Sequence, residues 1–94
     1  MSEYIEIEPE PDEDQLNLIH FFTNLPLTTD GQTETYQSLE EMLEGSAVAQ
    51  ALAEVNGIVA VTLTGGDMSV EKKDELDAYA LIADVSAAIK DFFL

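Results

Sequence analysis

The sequence predicts an α+β fold: a mostly antiparallel sheet with helices packed on one face, in the order β-β-(short α)-α-β-β-α. Three observations carry this expectation. Tyr4-Ile5-Glu6-Ile7-Glu8 alternates apolar and acidic residues, the period of a strand with one wet face. The β-branched run Ile58-Val59-Ala60-Val61-Thr62-Leu63 leads through Gly65-Gly66-Asp67 into Met68-Ser69-Val70, the pattern of a hairpin. Ala78, Ile82, Val85, Ile89 and Phe92 follow a 4-3-4-3 spacing, which puts them on one face of a closing helix.

The elements follow in order. The first strand, Tyr4 to Glu8, is expected to end at Pro9-Glu10-Pro11, where two prolines remove backbone donors. Asp12-Glu13-Asp14-Gln15 is a polar turn, and Leu16 to Phe22 reads as a second strand, antiparallel to the first. Leu25 to Gln37 carries turn residues and a short edge strand around Thr33–Tyr36. Ser38 is placed to cap a helix with Glu41 completing a capping box, and Gly45 stops that helix early. Ser46 caps a second helix whose stripe is Val48, Leu52 and Val55, ended by Asn56-Gly57. Asp74, after Lys72-Lys73, is the expected N-cap of the last helix, with Asp77, Asp84 and Asp91 on its wet side. Met42 and Met68 are expected to fill gaps in the core. With no internal repeat and no linker, residues 1–94 are expected to form one domain.

Charge narrows the function. Twenty acidic residues stand against three lysines and no arginine, a formal charge of −17. Nucleic acid is bound by neutralising phosphates with Lys and Arg, so DNA and RNA are excluded as expected partners. An anionic membrane surface is disfavoured for the same reason. What remains is a solvated acidic coat, or partners that are basic protein surfaces or cations. The absence of cysteine removes disulfides, thiolate metal sites and cysteine nucleophiles. Met1-Ser2-Glu3 opens neither a basic nor an apolar leader, and no apolar run approaches the roughly 20 residues of a spanning helix. The expected location is cytoplasmic.

No set of side chains assembles an active site. His20 is the only histidine, sits between Ile19 and Phe21, and has no second histidine or cysteine with which to hold zinc. It reads as a structural strand residue. In the acidic run Glu8, Glu10, Asp12, Glu13, Asp14, the residues Asp12 and Asp14 are weak candidates for a hard cation. Leu16 occupies the next ligand position of a calcium loop, so that motif fails. Gly65-Gly66-Asp67 joins two strands and lacks the Lys-Ser/Thr of a phosphate loop. No catalytic residue and no bound cofactor are expected, and the chain reads as a non-enzyme.

Two segments resemble a known family. Glu8-Pro9-Glu10-Pro11-Asp12-Glu13-Asp14-Gln15-Leu16-Asn17-Leu18 aligns without a gap with the segment E-P-T-P-N-P-N-x-L-K-F of Nfu/NifU N-terminal domains. Glu8, Pro9, Pro11 and Leu16 match outright, and Asp12 and Asp14 stand for asparagines. Gly45-Ser46-Ala47-Val48-Ala49-Gln50-Ala51-Leu52-Ala53-Glu54-Val55-Asn56-Gly57-Ile58 is similar to the family's G-S-P-L-A-Q-x-L-F-x-V-x-G-V. The hairpin Val61 to Val70 and the closing helix correspond too. In that family the iron–sulfur cluster is held by a separate domain with a C-x-x-C pair. The resemblance therefore implies a stand-alone, non-catalytic accessory or interaction domain in iron–sulfur cluster assembly or delivery. Its partner would be a scaffold or recipient protein, met through Pro9, Pro11, Asp12 and Asp14, through Gly65, Gly66 and Asp67, or through both. Two alternatives come from charge. One is an acidic decoy imitating a phosphate track with Glu6/Glu8/Glu10 or Asp77/Asp84/Asp91. The other is a weak iron or cation binder acting through the N-terminal carboxylates.

Overall fold

The computed structural model describes residues 4–94. Its five strands are β1 (Ile7–Pro11), β2 (Leu18–Thr23), β3 (Thr33–Tyr36), β4 (Ile58–Thr64) and β5 (Asp67–Lys72). They form one sheet in the order β1-β2-β5-β4-β3, with every neighbouring pair antiparallel. The helices α1 (Leu39–Leu43), α2 (Ala47–Ala53) and α3 (Ala78–Phe93) complete the expected order. Strand β3, at the anticipated residues, forms the second sheet edge.

One side of the sheet is core. Ile19 and Phe21 of β2, Val61 and Leu63 of β4, and Met68 and Val70 of β5 are buried against helical residues. Those are Met42 of α1, Val48, Ala49 and Leu52 of α2, and Leu81, Val85 and Ile89 of α3. Both core methionines behave as expected. The opposite side carries the alternate residues Leu18, His20, Phe22, Asp67, Ser69 and Glu71, none of them buried.

Three boundaries, one core position and one capping bond differ from the sequence expectation, each for a physical reason. Strand β1 runs through Pro9 and Pro11 instead of ending before them. It is an edge strand, and its bonds to β2 come from the even residues: Asp12 N–H donates to Leu18 O at 2.9 Å. The missing proline donors therefore face the free side, where a sheet tolerates them. Strand β2 begins at Leu18, because Leu16 and Asn17 form a turn and Leu16 is 87% exposed.

The N-cap of α3 is Asp77, whose carboxylate accepts from Ala80 N–H at 3.0 Å. Asp74 instead accepts from Asn17 Nδ2. The chain cannot start its helix at Asp74, since Leu76 must first pack over Gly57, where a Cβ would lie 2.2 Å from Leu76 Cδ2. The buried stripe of α3 is Leu81, Val85 and Ile89, with Ala78 and Ile82 beside it. Phe92 remains 40% exposed beside small alanines, while Phe93, edge-to-face with it, packs on the core. At α1, Ser38 Oγ accepts from Glu41 N–H, but the Glu41 carboxylate accepts from Gln37 N–H, one residue earlier than a capping box requires.

Candidate functional site at the β1–β2 loop

The β1–β2 register sets Glu10 opposite His20, and the β2–β5 register sets His20 opposite Ser69. Beyond Pro11 the chain folds back over this row. Asp12 Oδ2 accepts from the backbone N–H of Asp14 at 3.0 Å and of Gln15 at 2.9 Å. Its Oδ1 lies 2.9 Å from His20 Nε2. A carboxylate only accepts, so Nε2 carries the proton. His20 Nδ1 then meets Ser69 Oγ at 2.9 Å. The bond from His20, then the N–H groups of Gln15 and Asp14, hold the Asp12 carboxyl below the ordinary aspartate range.

The far end of the loop is tied as firmly. Asn17 O accepts from Lys72 N–H at 2.8 Å, and Asn17 Oδ1 accepts from Lys72 Nζ at 3.1 Å. Lys72 Nζ also donates to Lys73 O at 3.2 Å. Lys72 is only 6% exposed, its stem lying on the core side of β5. Both ends of the loop are thus pinned, and Glu13, Asp14 and Leu16 are held outward.

Asp12, His20 and Ser69 have the connectivity of a hydrolytic triad, but Ser69 has no place to bind an acyl group. It lies mid-strand in β5, whose backbone donors face the ladders with β2 and β4 on either side. An oxyanion needs free N–H groups aimed at one point, and a strand paired on both edges has none to offer. The three side chains act as a tether between the loop and the sheet. This also accounts for the Asp12 carboxylate, which serves internal donors and is not turned outward to a cation. Among the described residues no group of three or more His, Cys, Asp or Glu is placed to hold a metal ion.

Gly65, Gly66 and Asp67 lie at the other end of the sheet. β2 separates the two sets by its six residues, about 20 Å at ~3.3 Å per residue. The turn is taken up by the chain's own Thr23–Thr28 segment. Gly66 O accepts from Thr23 N–H and Thr23 Oγ1, Gly65 O from Leu27 N–H, and Gly65 N–H donates to Thr28 Oγ1. The two predicted binding sets therefore do not form one patch.

The family model described as scaffold protein Nfu/NifU N terminal matches residues 5–94. The chain belongs to this family. A search of the curated proteins found no match. Among solved structures, the crystal structure of protein SAV1430 from Staphylococcus aureus is similar, with a TM-score of 0.65 at 15% identity. That match covers 89% of this chain and 94% of the other. The solution structure of SeR13 from Staphylococcus epidermidis has a TM-score of 0.55 at 18% identity, covering 97% and 99%. At such identities the likeness shows a shared fold.

Within this Nfu/NifU N-terminal domain the two motif segments divide by role. Gly45-to-Ile58 is explained by folding alone. A Cβ on Gly45 would lie 2.3 Å from the Tyr36 ring, and Ser46 Oγ accepts from Ala49 N–H at 3.2 Å. Gln50 Nε2 donates back to Gly45 O at 3.0 Å, Leu52 is core, and Gly57 holds φ +99° under Leu76. The Glu8-to-Leu18 segment is explained by folding up to Asp12 and again at Asn17. Leu16, between them, is 87% exposed and lies outside the core. Sequence reasoning missed His20, Ser69, Asn17 and Lys72 as the groups that position the loop, because Ser69 reaches His20 and Lys72 reaches Asn17 only through the nonlocal β2–β5 pairing.

Proposed function

We propose that this chain is a non-catalytic accessory or protein-interaction domain in iron–sulfur cluster assembly and delivery. It engages a scaffold or recipient protein, in the cytoplasm, through the β1–β2 loop. The observation that carries this is Leu16, an 87% exposed leucine on a loop tied at both ends. An apolar residue already held in place loses little further freedom at the moment of binding. Glu13 and Asp14, just before it in the loop, select a basic surround on the partner. Family membership supports the pathway, and the acidic surface argues against nucleic acid as the partner.

The test is a two-dimensional NMR titration of the isotope-labelled chain with a C-x-x-C cluster-carrying domain, apo and loaded, at low and high salt. Shifts should centre on Glu13–Asn17 and survive salt. Leu16→Ala should weaken binding by about tenfold, since full burial of a leucine is worth about 1.5–3 kcal/mol. Diffuse shifts that vanish with salt, or unchanged affinity in Leu16→Ala, would overturn the proposal.

A further inference from the structure

The helical side of the molecule carries a second surface, remote from the β1–β2 loop in sequence and in its elements. A groove of about 580 Å³ runs between α2 and α3. Ala51 and Val55 on one side, and Ala87 and Ala88 on the other, are too small to close it. Phe92, 40% exposed, stands at its margin.

Three carboxylates rim the groove: Glu54 from the end of α2, and Asp84 and Asp91 from α3. The two aspartates are seven residues apart, which is two turns of helix, or about 10 Å. Asp77, third in the same heptad series, is engaged as the α3 cap and does not belong to this set. Among the described residues, none of the three rim carboxylates accepts a hydrogen bond from a side chain or forms an ion pair, and no lining residue is basic. Lys90 follows Ala87 by three positions and so stands beside the groove on α3, but it does not line it.

We infer that this groove seats a basic amphipathic helix of a partner protein, apolar side chains down over the alanines and Lys or Arg out to Glu54, Asp84 and Asp91. The chemistry selects this occupant over others. Alanine-lined grooves let a helix axis approach closely, and a helix brings its backbone groups already paired. An extended strand laid over side chains would leave its N–H and C=O groups without partners. An anionic lipid surface meets three like charges. Apolar residues at i, i+3 or i+4, and i+7 match the two-turn length set by Asp84 and Asp91. The inference goes beyond the proposed function, because it uses neither Leu16 nor the β1–β2 loop.

The test uses the full chain, isotope-labelled, in about 0.15 M salt where loose charge pairing is screened. The probe is a synthetic helical peptide of four turns with leucines at that spacing and lysines on both flanks. A scrambled peptide of identical composition is the control. Amide shifts should centre on Ala51, Val55, Ala87 and Ala88, and the scrambled peptide should bind at least tenfold more weakly. Ala88→Trp, which fills the groove, and Asp84→Asn with Asp91→Asn, which leaves packing intact, should each weaken the ordered peptide about tenfold. Leu16→Ala should not change it, which separates this result from failure of the loop proposal. Equal binding of the scrambled peptide, shifts on the open sheet face, or indifference to the double aspartate variant would overturn the inference.

Discussion

Gly66→Ala separates two meanings of the glycine turn. If the turn is a partner-binding feature, a methyl group there should spare the fold. The structure says otherwise. A Cβ at Gly66 would lie 2.7 Å from Thr23 O and 3.3 Å from Leu25 O, both backbone atoms that cannot swing aside. Relief requires the β4–β5 turn to part from the Thr23–Thr28 segment. That movement would break the two bonds that Gly66 O accepts from Thr23, at 2.9 and 2.8 Å. Overpacking costs about 1–3 kcal/mol and each of the two hydrogen bonds about 1 kcal/mol, so a net loss of about 3–5 kcal/mol is expected. At this chain length that lowers the melting temperature by about 10–25 °C.

Gly65→Ala is the control. Gly65 holds φ +58°, but apart from the residues on either side of it the nearest atom to an added Cβ, Gly31 Cα, is 3.9 Å away. It should lose only the left-handed penalty of about 1 kcal/mol. Urea unfolding followed by circular dichroism, at one fixed ionic strength, measures both. A Gly66→Ala loss below about 1 kcal/mol, or one smaller than that of Gly65→Ala, would refute the packing argument.

Asp12→Asn tests the loop tether through pH. The folded carboxyl titrates below its ordinary value of 3.8, so its stabilisation is complete above that pH and is lost as pH falls through the lower folded value. The variant should be less stable at neutral pH, and its stability should fall less steeply below 3.8; parallel curves would exclude the tether. Lys72→Met keeps the apolar stem and should hold stability to within about 1 kcal/mol, whereas Lys72→Ala should lose about 2–3 kcal/mol. Equal losses in denaturant unfolding would place the contribution in the ammonium group instead. Asp77→Ala should lose about 1 kcal/mol as a true N-cap, and Asp74→Ala less than about 0.5 kcal/mol. The reverse order would return the cap to Asp74.

Local signals in the sequence were enough for the elements and not for their contacts. The Ser46 cap and the left-handed backbone of Gly57 and Gly65 are local, and each marks a boundary where its chemistry requires one. Pro9 and Pro11 misled because a proline ends a central strand but not an edge strand, and edge position is a tertiary fact. The same limit explains Asp74 and Asp77: both are good caps, and only the packing of Leu76 over Gly57 decides between them. Insertion of β5 between β2 and β4 brings Ser69 to His20 and Lys72 to Asn17. No periodicity within either segment announces that pairing. The acidic loop is visible as composition, but the hydrogen bonds at its two ends are not, and those bonds are what turn Leu16 from an exposed leucine into a candidate anchor.

A charge of −17 on 94 residues also bears on where specificity can come from. At long range such a surface attracts any basic protein to any face, and this attraction fades beyond about 8 Å at physiological salt. Carboxylates lie on the open sheet face, at the β1–β2 loop and along the α2–α3 groove alike, so charge by itself cannot choose among them. What differs between these surfaces is apolar relief: one leucine on a fixed loop, one alanine-floored groove, and a flat sheet face whose exposed apolar residue is Phe22. Selection must therefore rest on the short-range apolar term, which salt does not screen. Among these three surfaces, binding which persists at high salt should map to Leu16 or to the groove, and binding lost at high salt should spread over the sheet face. A salt-resistant footprint on Glu8, Glu10 and Asp67 would show that the carboxylates themselves are read, as a decoy for a phosphate track requires.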